Sequence, residues 1–162
     1  KRLRGFEVKI IGINTSGKKT GNFDICYPIK ELEYALSQAD IVVLSVPYTK
    51  ETHHLIDEKS IGFIKKGACL INIARGSIIK EPVLIEALEK GEIRGAALDV
   101  FEEEPLPEDS PLWNMNNVII TPHNSWVSEM SSERRYNIIY ENMKRFISGE
   151  RLMNIVDIEK GY

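Results

Sequence analysis

Three ionisable side chains stand at the ends of apolar runs that have the character of buried strands. Arg75 follows the run 69–73, Asp99 lies near the end of 96–100, and His123 follows 118–121. In an open parallel sheet, ligands bind beyond the carboxyl ends of the strands. The sequence therefore predicts that an arginine, an aspartate and a histidine face one crevice, which is a candidate site for binding and catalysis.

The elements that must position these residues alternate between strand-like runs and segments of helical period. Strands are predicted over 8–13, 41–46, 69–73, 96–100 and 118–121, and the run 41–46 is expected to be buried on both faces because both are apolar. Helices are predicted around 29–36, from an N-cap at Asp57 through Ile64 to Gly67, over 83–88, and over 128–148. This alternation predicts a Rossmann-like α/β fold, with a mostly parallel sheet and helices on both faces.

Composition excludes several classes of protein. The net charge is −3, which gives no overall basic field for nucleic acid, and no apolar run reaches the ~18 residues needed to cross a membrane. Cys26 and Cys69 are interpreted as buried reduced thiols, and no Cys/His cluster predicts a metal site. We therefore expect a cytoplasmic protein with a small-molecule ligand, and no nucleic-acid, membrane or metal partner.

Five motifs follow one another in a specific order. They are ADIV (39–42) leading to Val46-Pro47, ETHHLI (51–56), INIARG (71–76), GAALDVFEEEP (95–105) and TPH (121–123). Together they resemble those of the D-isomer-specific 2-hydroxyacid dehydrogenases, and the resemblance extends over nearly all 162 positions. It implies an NAD(P)-dependent oxidoreductase that interconverts a 2-oxo acid and a D-2-hydroxy acid, and a homodimer.

The resemblance also implies a catalytic set. Arg75 would bind the substrate carboxylate and 2-oxo group, for which a planar, permanently charged guanidinium is suited. His123 would be the general acid in reduction and the general base in the reverse reaction. The glutamate that orients His123 and favours its charged form could be any of residues 102–104, but the family's glutamate directly precedes the proline, which selects Glu104.

Cofactor contacts follow from the same resemblance. They are expected at Asn14, Thr15, Val46, Pro47, Thr52, Ile73, Ala74, Arg75, Asp99 and His123, with Asp99 facing the nicotinamide. The cofactor is NAD or NADP, and Asn14 favours NADP because a carboxylate at this position would bind the ribose hydroxyl of NAD. Lys18 or Lys19 could contact a 2′-phosphate. Tyr48 and Trp126 either line the pocket or pack, whereas His53 and His54 are interpreted as surface packing.

The sequence also departs from the family pattern. It contains no G-x-G-x-x-G phosphate loop, and residues 123–126 read HNSW where the family has His-x-Gly. We therefore expect residues 1–154 to form an NAD(P)-binding domain without its first βα unit, in which the sheet gapes or exposes an edge. The sequence Lys1-Arg2-Leu3-Arg4 followed by Gly5 predicts the basic last turn of a helix, and residues 155–162 are expected to form a tail that would return to an absent substrate domain.

Two further hypotheses stay open. The isolated chain is expected to be inactive, so it could be a catalytically silent nucleotide-binding fragment or an interaction module of this family. A nucleotide-sensing interaction protein is also possible, because corepressors that resemble the family keep the same three catalytic residues.

Overall fold

A computed structural model describes residues 2–159 of the chain. The strands are β1 (Ile11–Asn14), β2 (Ile25–Pro28), β3 (Ile41–Leu44), β4 (Cys69–Asn72), β5 (Gly95–Leu98) and β6 (Val118–Ile120). The α-helices are α1 (Leu32–Gln38), α2 (Glu58–Ile61), α3 (Glu81–Glu89) and α4 (Ser131–Ile147). Short 3₁₀ helices occupy Arg2–Phe6, Ile29–Glu31, Gly76–Ile78 and Pro111–Asn114.

The strands form two parallel sheets. β1 pairs with β2, and β3, β4, β5 and β6 form a four-stranded sheet in that order. The predicted parallel, Rossmann-like α/β fold is confirmed. No ladder joins β1 or β2 to the larger sheet within residues 2–159, which agrees with the expectation of a gap in the sheet.

The core lies on one face of the larger sheet. Inward-facing residues of β3, β4 and β5 pack in one buried cluster with apolar residues of α2 and α3 and of the turns around them. Asp57 caps α2 as predicted, since its carboxylate accepts hydrogen bonds from the backbone N–H groups of Lys59 and Ser60. Burial of this apolar face is the main force that holds α2 and α3 against the sheet.

The opposite face of β3 is open. Ile41 and Val43 are 58% and 48% exposed, so the expectation that 41–46 is buried on both faces was wrong. β3 is the edge strand of its sheet, and within residues 2–159 helices α2 and α3 cover only the face of Val42 and Leu44. Cys26 and Cys69 are likewise half-buried rather than buried.

Several predicted boundaries also differ. β2 was not predicted, because four residues that end in a proline carry little periodicity. α2 ends at Ile61, so Ile64 and Gly67 lie beyond it. Gly5 is not the residue that ends the first helix: it lies inside the 3₁₀ helix Arg2–Phe6, and Glu7 takes the left-handed conformation with φ 55°. Lys1 and the last three residues of the predicted tail lie outside the described residues.

Helix α4 covers no core. None of its residues is buried, and its apolar side chains are exposed, including Ile139, Met143, Phe146 and Ile147. Among residues 2–159, no helix combines the length and the apolar character that crossing a membrane requires.

The central position of Leu70 in β4 generates a stability prediction. Leu70 is fully buried between β3 and β5, so Leu70→Ala should lower the free energy of unfolding by about 2–5 kcal/mol. Ile119→Ala is the matched control, because Ile119 is an aliphatic strand residue that is 66% exposed. Urea unfolding of both variants measures the difference, and equal effects would contradict the placement of the core.

Candidate active site

The carboxyl ends of β4, β5 and β6 open onto one cleft of about 320 Å³. Arg75, Glu104 and His123 all line it, so the structure brings together the three residues of the predicted catalytic set. The other lining residues are Tyr48, Gly76, Ser77, Phe101 and Glu102. Of these, only Tyr48 was proposed from the sequence as a pocket residue.

Arg75 is presented by a turn that Asn72 builds. Asn72 ends β4 and is buried; its Oδ1 accepts from the N–H of Ala74 at 3.1 Å, and its Nδ2 donates to the carbonyl of Arg75 at 2.9 Å. The guanidinium of Arg75 donates to the carbonyl of Ala74 at 2.7 Å. Asn72 was not singled out from the sequence, although a buried polar residue at a strand end within INIARG is a recognisable signal.

Gly76 joins the Arg75 turn to the segment that carries Glu104. A Cβ at this position would lie 1.8 Å from the carbonyl carbon and oxygen of Phe101 and 2.4 Å from the nitrogen of Glu102. The approach is therefore between two backbones, with no room for a side chain. It sets the distance between Arg75 and the residues that follow β5.

His123 and Glu104 form a hydrogen-bonded pair that lines the cleft. Nδ1 of His123 lies 2.7 Å from Oε2 of Glu104, and Oε1 of Glu104 accepts from the N–H of Phe101 at 3.0 Å. A carboxylate can only accept, so Nδ1 carries the proton and Nε2 is left for a ligand. Burial would raise the pKa of Glu104, but hydrogen bonds from His123 and Phe101 and the charges of His123 and Arg75 together lower it.

The backbone of His123 is held in an uncommon conformation. Its φ is 50°, in the left-handed region that residues with a side chain rarely adopt. The indole N–H of Trp126 donates to the carbonyl of His123 at 3.0 Å, and Arg135 lies over the Trp126 ring at 4.9 Å. Trp126 thus supports the histidine loop and is not among the residues that line the cleft.

Asp99, near the end of β5, holds the loop that carries His123. The residue is 3% exposed, and its Oδ1 accepts from the hydroxyl of Thr121 at 2.6 Å and the N–H of Asn124 at 3.0 Å. Its Oδ2 accepts from the N–H of Ser125 at 2.9 Å. Burial would raise the pKa of Asp99, but these bonds and one from the Ser125 hydroxyl lower it to about 2. The predicted contact of Asp99 with nicotinamide stays a prediction, because both oxygens are engaged by the loop.

The predicted adenosine end of the cofactor site lies at the end of β1. Oδ1 of Asn14 accepts from the N–H groups of Ser16 at 3.1 Å and Gly17 at 2.7 Å, and its Nδ2 donates to the carbonyl of Lys18 at 2.9 Å. The Asn14 side chain therefore folds the loop that exposes Thr15, Lys18 and Lys19. This arrangement suits an anionic group such as a ribose phosphate.

The other predicted contacts surround the ends of β3 and β4. Ile73 is 45% exposed, Val46 is half-buried and Pro47 is exposed, so these residues offer an apolar surface to a flat ring. Thr52 donates its hydroxyl to the carbonyl of Pro47 at 2.8 Å. Ala74 is buried and can contact a ligand through little more than its backbone. The contacts of these residues with a dinucleotide stay predictions; residues 2–159 contain no glycine-rich cradle and no group of metal-binding side chains.

The carboxyl edge of the parallel sheet thus carries Arg75, Glu104 and His123 in one cleft. Residues 1–125 match the family model described as D-isomer specific 2-hydroxyacid dehydrogenase, NAD binding domain. The chain belongs to this family, which confirms the resemblance and the prediction of a nicotinamide dinucleotide cofactor.

Relatives and solved structures agree with this assignment. A glyoxylate reductase of Pyrococcus horikoshii is 39% identical over 159 residues, which are 98% of this chain and 47% of that protein. A D-3-phosphoglycerate dehydrogenase of Methanocaldococcus jannaschii is 40% identical over 162 residues, 98% of this chain and 30% of that protein. Among solved structures, the chain is similar to an NADPH-dependent glyoxylate/hydroxypyruvate reductase from Sinorhizobium meliloti in complex with NADP and sulfate. The TM-score is 0.91 and the sequence identity is 30%, and the match covers 99% of this chain and 52% of that chain. The chain thus spans about half the length of most of these relatives.

The anchoring role of Asp99 generates a prediction about stability and pH. Its pKa in the folded chain, about 2, lies below the ordinary value of 3.8, so the ionised form stabilises the fold. That contribution is complete above pH ~4 and is lost as the pH falls through ~2. We expect Asp99→Asn to lower the free energy of unfolding by about 2 kcal/mol at neutral pH and to remove this part of the acid dependence.

Denaturant unfolding of the wild type and the variant between pH ~2 and ~7 measures both effects. Asp40→Asn is the control, because Asp40 is exposed and its ion pair with Lys65 at 2.6 Å is screened by solvent. Equal, small losses for both variants would show that Asp99 does not anchor the loop.

Proposed function

We propose that the protein to which this chain belongs is an NAD(P)-dependent oxidoreductase that interconverts a 2-oxo acid and a D-2-hydroxy acid. The observation that carries the proposal is the pairing of His123 with Glu104 at 2.7 Å in a cleft that Arg75 also lines. An anchored imidazole beside a guanidinium is what the reduction of a charged carbonyl substrate requires, since the anion must be bound and the carbonyl oxygen protonated.

Each residue has a distinct part in this reaction. Arg75 binds the substrate carboxylate and the 2-oxo oxygen through its planar array of N–H donors. His123 delivers the proton on Nε2 to the carbonyl oxygen during reduction and removes it from the hydroxyl group in the reverse direction. Glu104 keeps Nδ1 protonated and faces the charge of the imidazolium. The bound nicotinamide cofactor would supply or accept the hydride.

The substrate is proposed to be a small 2-oxo acid. Relatives of similar sequence are named glyoxylate reductases, glyoxylate/hydroxypyruvate reductases and D-3-phosphoglycerate dehydrogenase, all names of enzymes for short 2-oxo or 2-hydroxy acids. The homodimer also stays a proposal, supported by the exposed apolar side chains of α4.

A second candidate is a catalytically silent nucleotide-binding module. It is favoured by the absence of a G-x-G-x-x-G motif from the 162 residues, because a dinucleotide normally rests its pyrophosphate on such a loop. Titration of the chain itself with NADPH and NADH, followed by a turnover assay with glyoxylate, separates the candidates. Binding at near-micromolar concentration together with turnover would exclude the silent module.

The acid–base role of His123 predicts a large kinetic effect. His123→Ala should lower kcat for 2-oxo acid reduction by at least ~10²-fold, the usual contribution of a positioned general acid. The rate is followed as oxidation of NADPH or NADH in the protein expressed from its gene. Lys90→Gln is the control and should leave the rate unchanged, because Lys90 follows the last residue of α3 and forms an exposed ion pair with Glu86. An active His123→Ala variant would refute the catalytic assignment.

The side chain at position 14 generates a prediction about the preference for NADPH over NADH. Asn14→Asp keeps an acceptor for the N–H groups of Ser16 and Gly17, but places a negative charge where a 2′-phosphate would lie. We expect the ratio of the Kd values for NADPH and NADH to rise by about tenfold, a change of about 1.4 kcal/mol in relative binding. Fluorescence titration with both cofactors measures it, and Ser37→Asp, on the exposed end of α1, controls for the added charge.

A further inference from the structure

A second glutamate in the segment before Pro105 is held in the same manner as Glu104. Oε1 of Glu102 lies 2.6 Å from Nε2 of His54, and Oε2 accepts from the backbone N–H of Glu81 at 3.4 Å. Glu104 likewise uses one oxygen for a histidine and the other for a backbone N–H. Two residues of one short segment thus form two histidine–carboxylate pairs, of which only one belongs to the site proposed above.

The backbone of His54, the histidine of the second pair, is hydrogen-bonded to the turn that follows Arg75. The backbone N–H of His54 donates to the carbonyl of Ser77 at 2.8 Å, and the N–H of Ile56 donates to that of Ile78 at 3.0 Å. The imidazole ring of His54 stacks on that of His53 with 3.8 Å between the ring centres. His54 is therefore tied to the turn that follows Arg75 and is not a freely moving surface side chain.

Glu102 is fixed a second time by helix α3. Its N–H donates to Oε2 of Glu81 at 3.2 Å, in return for the bond from the Glu81 N–H to its own carboxylate. Both oxygens of Glu102 are thus engaged, so this carboxylate is not free to bind a substrate although it lines the cleft. Among the other charged groups, Lys80 at the start of α3 interacts with Glu102, and Glu103 acts on Glu81.

The two pairs are mechanically connected. The peptide between Phe101 and Glu102 packs directly on Gly76, and the N–H of Phe101 holds Oε1 of Glu104. The Phe101 N–H belongs to the preceding peptide of the same main chain. Without the contact between Glu102 and His54, packing on Gly76 and the bond from the Glu102 N–H to Glu81 are the remaining contacts described here for this peptide, and a displacement of Phe101 would move the N–H that binds the Glu104 carboxylate.

We propose that His54 and Glu102 are positioning residues for the proposed reaction: the contact between their side chains holds the segment 101–104 against the Arg75 turn and so holds Glu104 against His123. The proposal rests on that function only for its catalytic consequence. Its structural consequence, the fixed Nδ1–H tautomer of His123, can be measured without turnover.

The first experiment reads the tautomer directly. The chain has three histidines, so long-range proton–nitrogen NMR spectra at about pH 8 resolve which ring nitrogen of each carries the proton. Glu104→Gln serves as the positive control, since it removes the carboxylate that fixes Nδ1–H of His123. We expect Glu102→Gln and His54→Gln to shift His123 toward a mixture of tautomers in the same direction as Glu104→Gln.

Glu103→Gln is the matched control, because it makes the same charge change in the same segment at a residue that has no part in either pair; its His123 should match the wild type. An unchanged His123 tautomer in Glu102→Gln and His54→Gln would overturn the proposal. The two variants change opposite partners of the His54–Glu102 contact, so either one that folds decides the question.

The second experiment separates positioning from substrate binding. In the protein expressed from its gene, Glu102→Gln and His54→Gln should lower kcat by about tenfold, a part of the usual acid–base contribution, with KM for the 2-oxo acid changed by less than about threefold. An unchanged kcat would overturn the catalytic consequence. If the wild type shows no reductase activity, the proposed function fails, while the tautomer measurement still decides whether the clamp exists.

Discussion

The buried carboxylate of Asp99 is the interaction on which the chemical part of the structure depends. An ionised group away from water is costly unless hydrogen bonds replace its hydration. Asp99 obtains these bonds from a single short loop, through Thr121, Asn124 and Ser125. The loop must follow the carboxylate, and in doing so it places His123 in a left-handed conformation that its own backbone preferences disfavour. The position of the imidazole is thus set by a carboxylate on the neighbouring strand, which bonds the residues on both sides of His123.

Backbone contacts position the Arg75 turn, which forms the side of the cleft opposite His123. Gly76 allows the turn after β4 to touch the peptide that follows β5, and Asn72 fixes the turn from inside the sheet. The distance between Arg75 and Glu104 therefore depends on two packed main chains rather than on long flexible side chains. Such an arrangement loses little conformational entropy when a ligand binds, because the groups are already in place.

Much of this could be predicted from the sequence, and the failures have physical causes. The motifs identified Arg75, Glu104 and His123 because each lies at a fixed place relative to a strand end or a proline, and the structure brings all three to one cleft. The exposure of Ile41 and Val43 was missed because apolar content does not say which face a helix covers. β2 was missed because it is too short to show a period. The pairing of His54 with Glu102 joins residues 48 positions apart, and neither residue alone differs from an ordinary surface side chain.

The division into two sheets has a consequence for how the protein can change over evolutionary time. The loop of Asn14 belongs to the smaller sheet, whereas Arg75, Glu104 and His123 all depend on the larger one. No strand ladder connects the two within residues 2–159, so a substitution at one has few shared partners with a substitution at the other. Effects on sites without shared partners are close to additive. If the proposed roles of these residues hold, preference for one dinucleotide over the other could change through substitutions at β1 while the proposed proton transfer at the ends of β4 to β6 stays constant.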